Sequence, residues 1–209
     1  MRYVYLHGFA SGPGSRKALA FRSALNSAGK VNLEIPSLDD ADFENLTISG
    51  QLNVIERTLR GSPIRLIGSS MGGYLAALYA ATHPEVDRLV LLAPSFHFCA
   101  RWSTVAGPSN MEQWRSTGFQ EVFHYGEGAK RRIHYKLYED ALRYDPAPAF
   151  TQPCRIFHGI HDQVVPIEYS RVFCAAHPNA VLSELDSGHE LLNVLDAVTF
   201  ASVPFLLAE

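Results

Sequence analysis

The chain has 209 residues, 47% of them hydrophobic and 19% charged, with a formal net charge of −3. That length suits one domain able to bury about 70% of its unfolded surface, and eighteen basic residues against twenty-one acids, without a long run of either sign, argue against nucleic acid as a partner. Cys99, Cys154 and Cys174 are odd in number and lack metal-ligand spacing, so they read as small core residues or free thiols in a reducing compartment.

The first element is Arg2-Tyr3-Val4-Tyr5-Leu6, and Tyr3 to Leu6 are apolar on consecutive positions, as in a strand buried on both faces. Because it follows Met1 directly, the basic head and apolar middle of a secretory leader find no room before it. No apolar stretch approaches the roughly 20 residues of a membrane span. A soluble, cytoplasmic protein without a membrane partner is expected. The Gly/Ser/Pro loop 8–15 leads into a helix over 16–27 that Gly29 is placed to end. A second strand over 31–35 closes at Pro36. The acidic loop Asp39-Asp40-Ala41-Asp42 follows, then a helix over 48–59 that Gly61 terminates.

Strand 64–67 runs directly into Gly68-Ser69-Ser70-Met71-Gly72, and a helix-forming stretch, Tyr74-Leu75-Ala76-Ala77-Leu78-Tyr79-Ala80-Ala81, comes next. A serine at the apex of so abrupt a strand-to-helix turn projects its hydroxyl clear of the sheet edge. Glycines two residues to either side relieve the crowding of the strained turn. Ser70 is therefore the candidate nucleophile. The plainer reading is a glycine-rich turn or phosphate cradle, weakened by the lack of a P-loop lysine.

Strand 88–93 holds the unbroken Leu89-Val90-Leu91-Leu92. The rhythm then changes: 95–150 carries aromatics, Gly107-Pro108 and helical patterns over 110–123 and 130–142, but no clear strand. It reads as a small helical lid combined with a crossover helix, an ordinary long crossover being the alternative. Lys130-Arg131-Arg132 reads as a solvated helix face rather than a polyanion site. The sheet resumes with strand 154–157, a helix over 167–176, strand 181–185 and a last helix over 191–206. This alternation predicts one α/β domain over 1–209, with a mostly parallel six-stranded sheet and helices on both faces.

A serine hydroxyl needs a histidine to take its proton and a carboxylate to fix that histidine's tautomer. Functional groups of an open α/β sheet gather beyond the carboxyl ends of its strands. Past the fifth strand comes His158-Gly159-Ile160-His161-Asp162, and past the sixth Asp186-Ser187-Gly188-His189-Glu190. Asp162 is the candidate acid and His189 the candidate base; a turn aspartate and a helix-start histidine are the plain alternatives. The chain order Ser70, Asp162, His189 is that of α/β-hydrolases.

The negative oxygen of a tetrahedral intermediate needs N–H donors, each worth about 3 kcal/mol in rate. The Met71 N–H at the helix start is one. The Phe9 N–H, turned to the pocket by a bend at Gly8, is the other. His7 reads as organising that loop, and His158 and His161 as structural neighbours of Asp162.

With these residues in place, the chain resembles the α/β-hydrolase superfamily along nearly its whole length. Tyr5-Leu6-His7-Gly8-Phe9 with Ser11 and Pro13, and Ile67-Gly68-Ser69-Ser70-Met71-Gly72-Gly73-Tyr74, resemble more narrowly the small bacterial YqiA-type esterases. The resemblance implies a compact hydrolase, without the usual first two strands, acting on short acyl esters or thioesters. It assigns Ser70 as nucleophile, Asp162 as acid and His189 as base. Region 96–144 matches no pattern of that family and should shape the substrate pocket.

The expected activity is hydrolysis of a carboxylic ester of short to medium acyl chain through an acyl-enzyme on Ser70. No metal or organic cofactor is called for. The partner is a small-molecule ester or thioester, and a homodimer is compatible with the reading. Trp102, Trp114, Phe119 and Phe123 either line an acyl pocket or simply pack between lid and sheet. The runner-up is an acyl thioesterase, with the Lys130 cluster meeting a carrier's phosphates. The rival from another class is a non-catalytic ligand-binding protein on the same scaffold.

Overall fold

The computed structural model describes residues 1–29, 31–59 and 63–208. Its framework is β1 (Arg2–Leu6), α1 (Arg16–Gly29), β2 (Leu33–Glu34), α2 (Ile48–Leu59), β3 (Ile64–Ser69), α3 (Met71–Thr82) and β4 (Val86–Leu92). An insertion follows, with α4 (Phe98–Thr117), β5 (Phe119–His124), β6 (Ala129–His134) and α5 (Lys136–Ala141). The framework resumes with β7 (Cys154–Gly159), α6 (Ile167–Ala176), β8 (Ala180–Leu185) and α7 (Leu195–Leu207). Gly61, expected to end the second helix, lies outside the described residues.

The main sheet has six strands in the order β2-β1-β3-β4-β7-β8, and every neighbouring pair is parallel. Parallel neighbours need crossovers that cover the faces, so the inner strands β1, β3 and β7 are buried on both sides, while edge strand β8 is partly exposed. In β1, Tyr3 and Tyr5 join the apolar layer holding Phe21 and Leu25 of α1 and Val198 and Leu206 of α7. Val4 and Leu6 join the opposite layer, with Ile55 of α2 and Leu75 of α3. Period-two alternation inside an unbroken apolar run is how one strand feeds two cores.

α3 is buried along almost its whole length. Its run of Gly, Ala and Leu is apolar on all sides, as an enclosed helix must be. A charge is buried at the opposite end of the sheet from the serine turn. Arg65 of β3 reaches Asp87 at 2.8 Å, the Tyr3 hydroxyl at 3.2 Å and the Leu206 carbonyl. An unpaired guanidinium there would be strongly destabilising; its partners also tie α7 to the sheet.

The insertion departs from the sequence expectation. The helical patterns read over 110–123 and 130–142 are in fact the end of α4, a two-stranded antiparallel hairpin and the short α5. Long α4 is bent at Gly107, whose φ of 76° only glycine adopts cheaply, with Pro108 next. The hairpin turns through Tyr125-Gly126-Glu127-Gly128, with Gly128 at φ 67°. Lys130-Arg131-Arg132 therefore lies on a strand, not a helix face. Each side chain has an acid: Lys130 pairs with Glu121, Arg131 with Glu127 and Arg132 with Glu44. Such cross-strand and loop pairing makes a charged segment a good edge strand. Behind it Trp114 is buried and donates its Nε1–H to the Ile133 carbonyl at 3.0 Å.

Candidate active site

Ser70 sits between β3 and α3 with φ 54° and ψ −117°, a backbone state costly for any residue but glycine. The flanking glycines are there for room. A Cβ on Gly72 would stand 2.5 Å from the Leu6 carbonyl carbon and 2.6 Å from the His7 oxygen. A Cβ on Gly68 would stand 2.7 Å from the Gly72 carbonyl carbon. The Ser70 carbonyl accepts from the amides of Gly73 at 2.9 Å, Tyr74 at 3.1 Å and Ser95 at 3.0 Å, which holds the turn from both sides.

Asp162 and His189 lie on the loops after β7 and β8, and these loops are stitched together. The His161 amide donates to the Ser187 carbonyl at 3.0 Å, and the Ile160 amide to Leu185 at 2.9 Å. A Cβ on Gly159 would come within 2.6 Å of the Gly188 carbonyl oxygen, so that crossing also requires glycine. The result brings the three residues together as expected. His189 Nε2 is 3.0 Å from Ser70 Oγ, and His189 Nδ1 is 2.7 Å from Asp162 Oδ2.

Asp162 is buried and fully saturated. Oδ1 accepts the amides of Val164 and Val165, each at 2.8 Å, and Oδ2 also faces His158 Nε2 at 3.1 Å. Burial alone would raise its carboxyl; hydrogen bonds from His158, His189 and the Val165 amide outweigh that and hold it well below the usual range. An ionised Asp162 makes Nδ1 of His189 the protonated nitrogen. Nε2 then presents its lone pair to Ser70, and the Ser70 hydroxyl donates to it.

His158 is a neighbour of Asp162, as expected, and its Nδ1 faces Ser170 Oγ at 2.8 Å. His161 is not: it pairs with Asp186 at 2.8 Å on the surface. His7 organises its loop, facing the Gly8 carbonyl through Nδ1 at 3.0 Å and accepting the Leu38 amide on Nε2 at 3.3 Å. Burial pushes its imidazole below its ordinary value, which fits a neutral ring. The left-handed step in this loop is at Ala10 (φ 53°), not at Gly8.

Ser70 opens on two spaces. One is an apolar pocket of about 250 Å³, bordered by Phe9, Met71, Phe96, Trp102 and Ala106. The other is a wider cleft of about 890 Å³ with a mixed lining, in which Ser11, Lys17 and Glu127 stand among apolar groups such as Val122, Phe123 and Leu192, beside Ser70 and His189. Phe9 and Met71, the residues expected to supply the oxyanion amides, both border the pocket at Ser70. Of the four expected pocket aromatics, Trp102 alone lines the apolar space. Trp114 stacks behind it at 5.2 Å, Phe119 packs on His134, and Phe123 is half exposed beside the cleft.

Two features escaped the sequence reading. Lys17 is nearly buried beside the site, with Glu190 at 3.4 Å, and burial lowers its ammonium's pKa. Ser95 Oγ is 3.0 Å from Ser70 Oγ. Ser95 lies just past the end of β4, so the rule that selected Asp162 and His189 selects it too. Among the described residues no group of three or more His, Cys, Asp or Glu side chains could hold a metal ion, and no helix is long and apolar enough to cross a membrane.

A family model described as Uncharacterised protein family (UPF0227) matches residues 2–202. No curated protein matches the sequence. Solved structures share its α/β-hydrolase fold. Mouse alpha/beta hydrolase domain-containing protein 10 is 19% identical with a TM-score of 0.81, covering 97% of this chain and 88% of its own. Est1E from Butyrivibrio proteoclasticus, with ferulic acid bound, is 23% identical with a TM-score of 0.80, covering 98% and 87%. The monoacylglycerol lipase of Paleococcus ferrophilus is 19% identical with a TM-score of 0.74, covering 98% and 93%.

Proposed function

The chain belongs to the UPF0227 family, and from the geometry of its site we propose that it is a serine hydrolase of carboxylic esters with short to medium acyl chains. One observation carries the reading: a single imidazole, 3.0 Å from Ser70 Oγ on one nitrogen and 2.7 Å from a buried carboxylate on the other. That is the arrangement general-base activation of an alcohol requires.

Ser70 Oγ attacks the ester carbonyl carbon as its proton passes to His189 Nε2, and Asp162 stabilises the imidazolium. The carbonyl oxygen gains negative charge and is received by the backbone N–H groups of Phe9 and Met71. His189 returns the proton to the departing alcohol. Water, deprotonated by His189 in turn, attacks the acyl-enzyme and releases the acid from Ser70. The narrow apolar pocket takes the acyl chain and the wider, mixed cleft the alcohol. The first half of α4 walls the pocket, which supports a lid role for the 95–150 insertion.

Thioesters are open to the same apparatus. The basic cluster that would have favoured a phosphate-bearing carrier is already matched with Glu121, Glu127 and Glu44, so esters are the better-supported class. Steady-state hydrolysis of p-nitrophenyl esters from acetate to laurate tests the reading. Turnover should favour the short and medium esters, and Ser70→Ala should cost about 10⁶ in kcat. Equal turnover by Ser70→Ala would refute it.

A further inference from the structure

Ser70 Oγ has two hydrogen-bond partners, and counting protons fixes the direction of the second. Asp162 holds the His189 proton on Nδ1, so the Ser70 proton is committed to Nε2. The 3.0 Å contact between Ser70 Oγ and Ser95 Oγ can then be made only by the Ser95 proton. Ser95 is buried, and among the described residues its hydroxyl has this one partner. Its position is independently fixed, because its backbone amide donates to the Ser70 carbonyl.

We infer that Ser95 is a further catalytic residue, donating a hydrogen bond to Ser70 Oγ that assists its departure from the acyl-enzyme. The inference rests on the serine-hydrolase reading above. In the free enzyme Ser70 Oγ is an alcohol oxygen and a good acceptor. In the acyl-enzyme the same atom is an ester oxygen and a poor one. The Ser95 hydrogen bond therefore weakens while Ser70 attacks and strengthens while Ser70 leaves, and only an interaction stronger in the transition state accelerates a step. During deacylation, His189 takes a proton from water as the water oxygen bonds to the acyl carbon. The carbon–Oγ bond then breaks, its electron pair stays on Oγ, and Oγ takes the proton back from His189. Ser95 keeps its own proton throughout.

The test is steady-state and stopped-flow hydrolysis of p-nitrophenyl butyrate by wild type, Ser95→Ala and Ser95→Thr. Activated esters make release of the acyl group limiting, so kcat reads deacylation and kcat/KM reads acylation. Ser95→Ala should lower kcat and KM together, about fivefold to tenfold for one lost hydrogen bond, with kcat/KM unchanged or raised. A larger p-nitrophenolate burst and a longer-lived acyl adduct should accompany this, and Ser95→Thr should restore kcat. A fall in kcat/KM at constant KM would overturn the inference, as would an unchanged kcat. Wild type that forms no acyl adduct on Ser70 would instead remove the hydrolase reading, and this inference with it.

Discussion

His158 Nε2 lies 3.1 Å from Asp162 Oδ2, the same oxygen that His189 Nδ1 reaches at 2.7 Å. His158 is fully buried and also faces the Val165 carbonyl at 2.9 Å, so its ring fixes the acid's loop from beneath. Replacing it with Ala leaves a carbonyl, a hydroxyl and part of a carboxylate without a partner. His158→Ala should cost about 3 kcal/mol of stability, read from urea unfolding at neutral pH. Unchanged stability would show that this ring holds nothing.

Asp162→Asn should lower kcat by about 10⁴, because Nδ1 of His189 loses its acceptor and the wrong tautomer faces Ser70. Its effect on stability should depend on pH in one direction. The folded pKa of Asp162 is depressed, so its contribution is complete above the unfolded value of about 3.9 and declines as the pH drops below it. The stability gap between wild type and Asp162→Asn should therefore be constant from pH 7 to about 5 and shrink in more acid solution. Denaturant melts across that range would detect a gap that fails to close.

Gly72→Ala must push a methyl group into the Leu6 and His7 carbonyls. The serine turn should be lost, with about 3 kcal/mol or more of destabilisation and no esterase activity. Gly8→Ala meets its nearest atoms, Ser69 O and Ser70 Cβ, at 3.4 Å and should change stability by no more than about 1 kcal/mol. Thermal unfolding of both variants compares the two directly.

Much of this architecture could be read in advance. The six framework strands, the helices between them and the convergence of residues 70, 162 and 189 followed from apolar runs, breaker residues and one rule about strand ends. The insertion resisted because its hairpin strands are only half buried. Phe119-Gln120-Glu121-Val122-Phe123-His124 has no clean alternation, and a basic run resembles a helix face when its acids lie elsewhere in the chain. The turn glycines Gly126 and Gly128 are the sequence signal that marks the hairpin. Ser95 carries no signal of its own, because serine after proline is common; its meaning comes from a contact across twenty-five positions of sequence.

At about 30 Å³ for each water-sized group, the 250 Å³ pocket accepts an acyl chain of roughly eight non-hydrogen atoms. Ala106 lines that space on α4. Ala106→Trp should lower kcat/KM for p-nitrophenyl octanoate about tenfold or more while leaving acetate within about twofold. A uniform loss over all chain lengths would place the acyl group elsewhere.

The central claim is that the alcohol of residue 70 is made reactive by its neighbours, and a fluorophosphonate probe followed by intact-mass and peptide analysis tests it most directly. One adduct per chain is predicted, on Ser70, absent in Ser70→Ala and strongly reduced in His189→Ala. Labelling that persists unchanged in Ser70→Ala, or that maps to another residue, would contradict the account.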